Sequence, residues 1–336
     1  MIASIEPYTL DFITPGGTSR GVLKTKDTFF LTLESENRKG HGECALFRGL
    51  SFEDTPQYEE KLQWLVKNIN LSPLEIENEL KAYPSILIGY EQALLNLKHG
   101  KDLYFPSSFT EGKDTIVING LIWMGDKAYM ETQIQQKLDL GFKTLKLKIG
   151  TNWEQEKTVL SSLRKTFSAK DLELRVDANG AFSYEKALEV LDELAELEIH
   201  SIEQPIKANQ RDLMAKLTKL TPTPIALDEE LIGITQSGDK KELLEQIRPQ
   251  YIILKPSLVG GFKASDEWIS LAEKLNIGWW ITSALESNMG LNAIAQYTYT
   301  KNPSLPQGLG TGALYKNNLN SSLILQGENL SKKVNE

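Results

Sequence analysis

KTLKLKIG at 143–150, DLELRVDAN at 171–179, HSIEQP at 200–205, PIALDEE at 224–230 and YIILKP at 251–256 are short apolar runs, and each closes on a charge. The closing residues are Lys148, Asp177, Glu203, Asp228 and Lys255, separated by 29, 26, 25 and 27 residues. That interval is the length of one strand, one crossover helix and their connections. Amphipathic stretches lie between the runs, among them EQEKTVLSSLRKTF (154–167), SYEKALEVLDELAEL (183–197) and KKELLEQI (240–247). TIVING (115–120) precedes the series. SDEWISLAEKL (265–275), GWWITSA (278–284) and SNMGLNAIAQYT (287–298) continue it, and an eighth strand is expected near 305–308. Strands alternating with helices are parallel. One charge per unit, always at the carboxyl end, favours a closed barrel, because an open sheet would spread the strand ends along a line.

Outward from this region the texture changes. Residues 1 to about 50 read as strands, with TFFLTLES (28–35) followed by GHGECAL (40–46), which Gly40 and Gly42 are expected to interrupt. Helical patterns follow at 57–70 and 84–100. Strands followed by helices indicate a separate α+β domain. The tail beyond Gly312 is polar, and SSLILQG (321–327) is expected to add a strand to that first domain.

The chain has 336 residues, of which 40% are hydrophobic and 24% charged, enough for a folded core and too long for one typical domain. A net charge of −8 argues against a nucleic-acid partner, which would require a basic face. No run approaches the length of a membrane span and no signal peptide is evident, so no membrane partner and a cytoplasmic location are expected. One cysteine and three histidines make a zinc site a poor reading, and a carboxylate site for Mg²⁺ or Mn²⁺ a better one.

Three carboxylates aimed at one point repel one another unless a cation joins them. Asp177, Glu203 and Asp228 are therefore the expected ligands of a divalent metal. Each alone would read equally well as a helix cap, but three closing successive strands do not. Lys146 and Lys148 share one strand face. Near a metal, two neighbouring ammonium groups are expected to lower each other's pKa towards that of a base, although KTLKLKIG also reads as a solvated edge strand. Lys255 ends an otherwise apolar strand, where a charge needs a partner or a task. A cation between lysines suits removal of a proton next to a carboxylate of a small-molecule substrate. The metal stabilises the resulting enediolate, one lysine is the base, and the other returns a proton or stabilises charge.

KLKIG (146–150), RVDANG (175–180), IEQPI (202–206), ALDEEL (226–231) and LKPSLVGG (254–261), together with GHGECA (40–45), resemble the enolase superfamily, muconate-lactonising subgroup. The resemblance implies an α/β fold, a (β/α)7β TIM-like barrel with an N-terminal α+β capping domain. The cap would span 1–110, with the tail 313–336 packing back on it, and the barrel would span 111–312. By the same resemblance Asp177, Glu203 and Asp228 hold Mg²⁺, with Mn²⁺ as a substitute. Lys148 is the acid/base, Lys146 its neighbour, and Lys255 the lysine across the ring. Asn179 and Glu229 orient them.

ITSALESNMGLNAIAQ (281–296) and PQGLGTGALYKNN (306–318) are most similar to o-succinylbenzoate synthases within the subgroup. Those enzymes dehydrate 2-succinyl-6-hydroxy-2,4-cyclohexadiene-1-carboxylate in menaquinone biosynthesis. The resemblance places Arg175 against the substrate. Ser283 closes the seventh strand and is a further substrate contact. Gly308, Gly310 and Thr311 lie in GLGTG, which reads as a tight exit turn, as backbone N–H groups facing a substrate carboxylate, or as both. No strand and helix flank it as a dinucleotide fingerprint requires. Phe47 to Phe52 is expected to cover the pocket as a mobile loop, unless its apolar residues belong to the core.

Alternatives in the same superfamily are N-succinylamino acid racemase, dipeptide epimerase and cycloisomerase. The Asp-x-Asp usual in dipeptide epimerases has no counterpart in GLGTG. A non-catalytic barrel binding a metal and an anion is the alternative of another class. The sequence leaves the oligomeric state open.

Overall fold

The computed structural model describes residues 1–18 and 21–333. Three antiparallel strands open the chain: β1 (Ile2–Thr18), β2 (Gly21–Ser35) and β3 (Arg38–Cys44), paired in that order. Helices α1 (Tyr58–Lys67), α2 (Pro73–Leu80) and α3 (Pro84–His99) follow. Ser72 and Glu75 form a reciprocal capping box that starts α2.

Gly40 and Gly42 do not interrupt β3, contrary to the sequence reading. They are where α3 presses on it: a methyl group at Gly42 would stand 2.0 Å from the carbonyl oxygen of Gly89, and one at Gly40 2.2 Å from that of Ala93. Leu31, Leu33, Leu62, Leu65, Ile86 and Tyr90 fill the space between sheet and helices.

The second region begins with β4 (Ile116–Val117), β5 (Gly120–Ile122) and α4 (Lys127–Asp139). It continues through β6 (Thr144–Lys148), α5 (Trp153–Thr166), β7 (Glu173–Asp177), α6 (Tyr184–Glu196), β8 (Ser201–Glu203), α7 (Arg211–Leu220), β9 (Ile225–Leu227) and α8 (Ser237–Ile247). Last come β10 (Tyr251–Leu254), α9 (Pro256–Val259), α10 (Gly261–Lys274), β11 (Gly278–Ile281) and α11 (Asn288–Thr300).

Strands β5 to β11 pair in chain order, all parallel. The ring closes through single parallel bridges, Thr282 to Gly308 and Ile118 to Gln307. The expected eighth strand is thus reduced to a bridging pair. The architecture is an α/β barrel of the TIM type beside an antiparallel-sheet domain. Its strands bury aliphatic residues such as Leu145, Leu147, Leu174, Val176, Ile202 and Leu227 against the surrounding helices.

The tail divides. Residues 314–317 return to the first sheet: Ile13 N donates to Leu314 O, Lys316 N donates to Asp11 O, and the Phe12 and Tyr315 rings meet edge to face. SSLILQG does not join that sheet. It supplies β12 (Leu323–Gln326), which pairs with β13 (Asn329–Lys332), and β13 pairs with β4 at the barrel's base. Three of the four residues of β12, Ile324, Leu325 and Gln326, are exposed, a pattern that fits an edge strand of either domain and could not reveal the partner.

Candidate active site at the carboxyl ends of the barrel strands

Register brings the charged strand ends together. Lys148 is level with Asp177, and Asp177 with Glu203. Asp228 and Lys255 immediately follow β9 and β10. All of them, with Lys146, are buried.

Lys148 Nζ donates to Asp177 Oδ2 at 2.8 Å and to Asn179 Oδ1 at 2.7 Å, and it stands 5.9 Å from the centre of the Trp123 ring. Lys146 Nζ donates to Glu203 Oε2 at 2.6 Å and lies 3.4 Å from Asp177 Oδ2. Lys255 is paired with Asp228 and stands 3.5 Å from Glu203 Oε1. Asn179, at φ +44°, donates its backbone N–H to Asp177 Oδ1 and its amide to Glu229 Oε1, so both expected orienting residues lie beside the ring.

Burial opposes ionisation throughout, and the local charges decide each outcome. For Asp177 burial is outweighed by Lys148, Lys146 and Lys255, which hold its pKa well below the usual carboxylate range. Glu203 is pushed up to about 7, by burial first and then by the charge of Asp177. Asp228 is also raised by burial, against the pull of Lys255. The lysines go the other way. Burial would lower Lys146 and Lys255, but Glu203 and Asp177 raise the first, and Asp228 and Glu203 the second. Without a metal, the carboxylates are the nearer partners of Lys146 and outweigh repulsion from the other ammonium groups.

The donors suit a hard divalent cation. Three carboxylates converge at strand ends, and Glu203 Oε1 is buried without a hydrogen bond. Among the described residues, no group of three His, Cys, Asp or Glu side chains stands as a ready-made cage, and each carboxylate of the ring is paired with a lysine. The residues fit a metal by type and placement, with side-chain rotation needed to gather them.

A pocket opens above the ring. Lys146, Lys148, Asp177, Asn179 and Lys255 line it. Leu23, Phe47, Leu121, Trp123, Leu258 and Leu285 add apolar surface, and Asn119, Thr282, Ser283 and Thr311 neutral polar groups. The loop from Phe47 to Phe52 contributes Phe47 and Leu50, whereas Phe52 sits against Gly233 on the barrel rim. Arg48 ties this loop down through Asp27 and Asp54.

Arg175 is not among the pocket-lining residues. Two positions before Asp177 on the same face, it lies one layer deeper in the barrel. There it donates to Glu173 Oε1 and Pro306 O and lies over the Trp280 ring at 4.4 Å. Ser283 and Thr311 share a hydrogen bond of 2.6 Å at the pocket wall. Gly308 and Gly310 also line it, but Gly308 spends its N–H on Ile281 O. Its missing side chain has another use, because a Cβ there would stand 2.3 Å from Thr282 Oγ1.

Sequence reading missed three residues. Gln204, fully buried at φ +42°, accepts from the N–H groups of Asp228 and Glu230 and so fixes the turn after β9. Its signal was its place after Glu203 in IEQP. Asn119 and Thr282 carry buried oxygens without hydrogen-bond partners at the pocket wall. Nothing in their local sequence separates them from ordinary strand residues.

Residues 129–320 match the enolase C-terminal domain-like family. The chain is 44% identical to the o-succinylbenzoate synthase of Desulfotalea psychrophila, covering 95% of each. It aligns with the crystal structure of MenC from that organism at a TM-score of 0.89 and 41% identity, over 98% of this chain and 99% of the other. The o-succinylbenzoate synthase of Thermosynechococcus elongatus, solved with magnesium in its active site, shares the fold at a TM-score of 0.76, 24% identity and 92% coverage of each chain. No helix among the described residues is long and apolar enough to cross a membrane. With a matching family model over more than half its length and a close relative over nearly all of it, the chain belongs to the enolase superfamily, in its muconate-lactonising subgroup.

Proposed function

We propose that the chain is an o-succinylbenzoate synthase, a hydro-lyase that converts 2-succinyl-6-hydroxy-2,4-cyclohexadiene-1-carboxylate to o-succinylbenzoate and water in menaquinone synthesis. The observation that carries this reading is the 44% identity over 95% of the chain to a synthase of that name, joined to a ring of three lysines and three carboxylates whose Lys146, Lys148, Lys255 and Asp177 line one pocket. In the proposed division of labour, residues 111–312 carry the chemistry. Residues 1–110 cover it, and the tail from 313 returns in part to that cap.

Asp177, Glu203 and Asp228 would hold Mg²⁺, with Mn²⁺ as a substitute. The bound cation supplies Lewis-acid stabilisation of negative charge on the substrate carboxylate. With Asp177 committed to it, Lys148 keeps the Asn179 amide oxygen as its orienting partner. Lys148 as the free amine takes the proton from the carbon bearing the carboxylate. The resulting ammonium returns that proton to the departing hydroxyl, so water leaves and the ring becomes aromatic. Lys255 faces the same space as a cation, and its charge favours the electron-rich intermediate without a proton transfer. The apolar surface of the pocket excludes water from the reacting carbon.

The test is a paired assay on purified protein with Mg²⁺. Formation of o-succinylbenzoate is expected to exceed racemisation of N-succinylamino acids in kcat/KM. Robust racemisation without dehydration would overturn the assignment.

A further inference from the structure

Part of the pocket wall comes from the first domain, through Leu23, Phe47 and Leu50. Glu43, the last acidic residue of GHGEC, is fully buried and reaches out of β3 into the barrel. Its Oε1 accepts from Thr28 Oγ1 at 2.8 Å and from Ser287 N at 2.9 Å. Its Oε2 accepts from Ser287 Oγ at 2.5 Å and Gly290 N at 3.0 Å. A carboxylate of one domain thus closes the first turn of α11 in the other. Gly290 has no side chain because a Cβ would stand 2.7 Å from Glu43 Oε2 and 2.9 Å from Glu286 Cβ, which places the two glutamates side by side.

Glu286 is also fully buried and accepts from Ser257 Oγ at 2.5 Å, two residues beyond Lys255. Lys26 is buried on the same face of β2 as Thr28, its Nζ has no hydrogen-bond partner among the described residues, and the charges that act on it are those of Glu43, Glu286 and Asp27. It offsets the two buried glutamates without binding either closely.

Between Ser283 and this cluster lies Leu285, at φ +63°. A branched residue adopts that conformation only when its surroundings impose it, at a cost of about 1–3 kcal/mol. The impositions are present. Leu285 O accepts from Tyr315 OH at 2.7 Å, Leu285 N donates to Ser283 Oγ, and Glu43 fixes the chain two residues on. The Leu285 side chain then lines the pocket.

We infer that Glu43 and Glu286 are positioning residues, through which docking of the cap on the barrel holds Leu285 against the substrate and steadies the segment after Lys255. The kinetic half of this rests on the proposed synthase activity; the structural half does not.

The test uses the full chain with Mg²⁺, in the variants Glu43→Gln, Leu285→Gly and both together. Hydrogen exchange over 283–290 is expected to accelerate about tenfold or more in Glu43→Gln, with α5 unchanged. KM for dehydration and Kd for o-succinylbenzoate are expected to rise about tenfold while kcat stays within about threefold. Leu285→Gly should add little to KM in the Glu43→Gln background. Should Glu43→Gln not fold, Ser287→Ala, which removes one donor, takes its place with the same expectations at smaller size. Unchanged exchange over 283–290, lost stability with KM intact, or additive effects of the two substitutions would overturn the inference. If the unaltered protein neither makes nor binds o-succinylbenzoate, the functional reading has failed, and the exchange measurement alone decides.

Discussion

Lys146 reaches past the neighbouring strand to donate to Glu203 at 2.6 Å, from β6 to β8. In a flat sheet, strands two apart are separated by roughly 10 Å, and the inward curvature of a barrel shortens that span. Lys146 thus pairs with two carboxylates of the ring, Glu203 and Asp177. Lys146→Met should leave Glu203 buried without its closest partner, costing about 3–5 kcal/mol in the metal-free protein. Added Mg²⁺ should recover much of that loss through binding. Urea unfolding with and without Mg²⁺ checks this, and equal losses under both conditions would refute it.

Gln204 supports the ring from behind. Its side-chain oxygen accepts two backbone N–H groups at 3.2 Å each, those of Asp228 and Glu230. Gln204→Leu leaves both donors unsatisfied, which should cost about 1–3 kcal/mol each at most. It should also weaken Mg²⁺ binding by about 10–100-fold, as loss of a ligand-orienting contact does. Metal titration of the variant reads the second effect separately from the first.

The two outer lysines should separate in their roles. Lys148→Ala removes the proposed base and should lower kcat by about 10²–10⁴-fold or more. Lys255→Arg keeps a positive charge facing Asp228 and should retain more activity than Lys255→Ala. Equal losses in the two Lys255 variants would argue that this lysine transfers a proton.

Glu91 of α3 accepts from Phe262 N at 2.6 Å and Lys263 N at 3.4 Å at the start of α10. Burial pushes its pKa up to about 7, against those hydrogen bonds. Folding thus favours its protonated form. The stabilisation is full below the ordinary carboxyl pKa and is lost as pH rises through about 7. Glu91→Gln stays neutral, so its stability relative to the unaltered protein should climb between pH 5 and 8, by about 3 kcal/mol at most. Chemical denaturation across that range checks the slope, and a flat difference curve would contradict it.

The barrel was legible because one charge closed each of five apolar strands at a constant interval, and parallel strands put those ends on one rim. The ring residues Lys148, Asp177, Glu203, Asp228 and Lys255 followed from the same pattern. Arg175 shows where such reasoning stops. The resemblance set it against the substrate, whereas it fills the barrel interior against Trp280, away from the pocket lining. Gly308 was read through its backbone N–H, whereas its use is space for Thr282, a contact between segments 26 residues apart. Asn119, Thr282 and the Glu43–Ser287 contact arise from tertiary placement alone and leave no local signal.

The most direct test is conversion of 2-succinyl-6-hydroxy-2,4-cyclohexadiene-1-carboxylate by the purified protein, followed as o-succinylbenzoate formed, with Mg²⁺ present, with the metal chelated, and in Lys148→Ala. Product is expected only from the unaltered protein with metal. Product formation at an undiminished rate by Lys148→Ala, or none from the unaltered protein with Mg²⁺, would contradict the assignment.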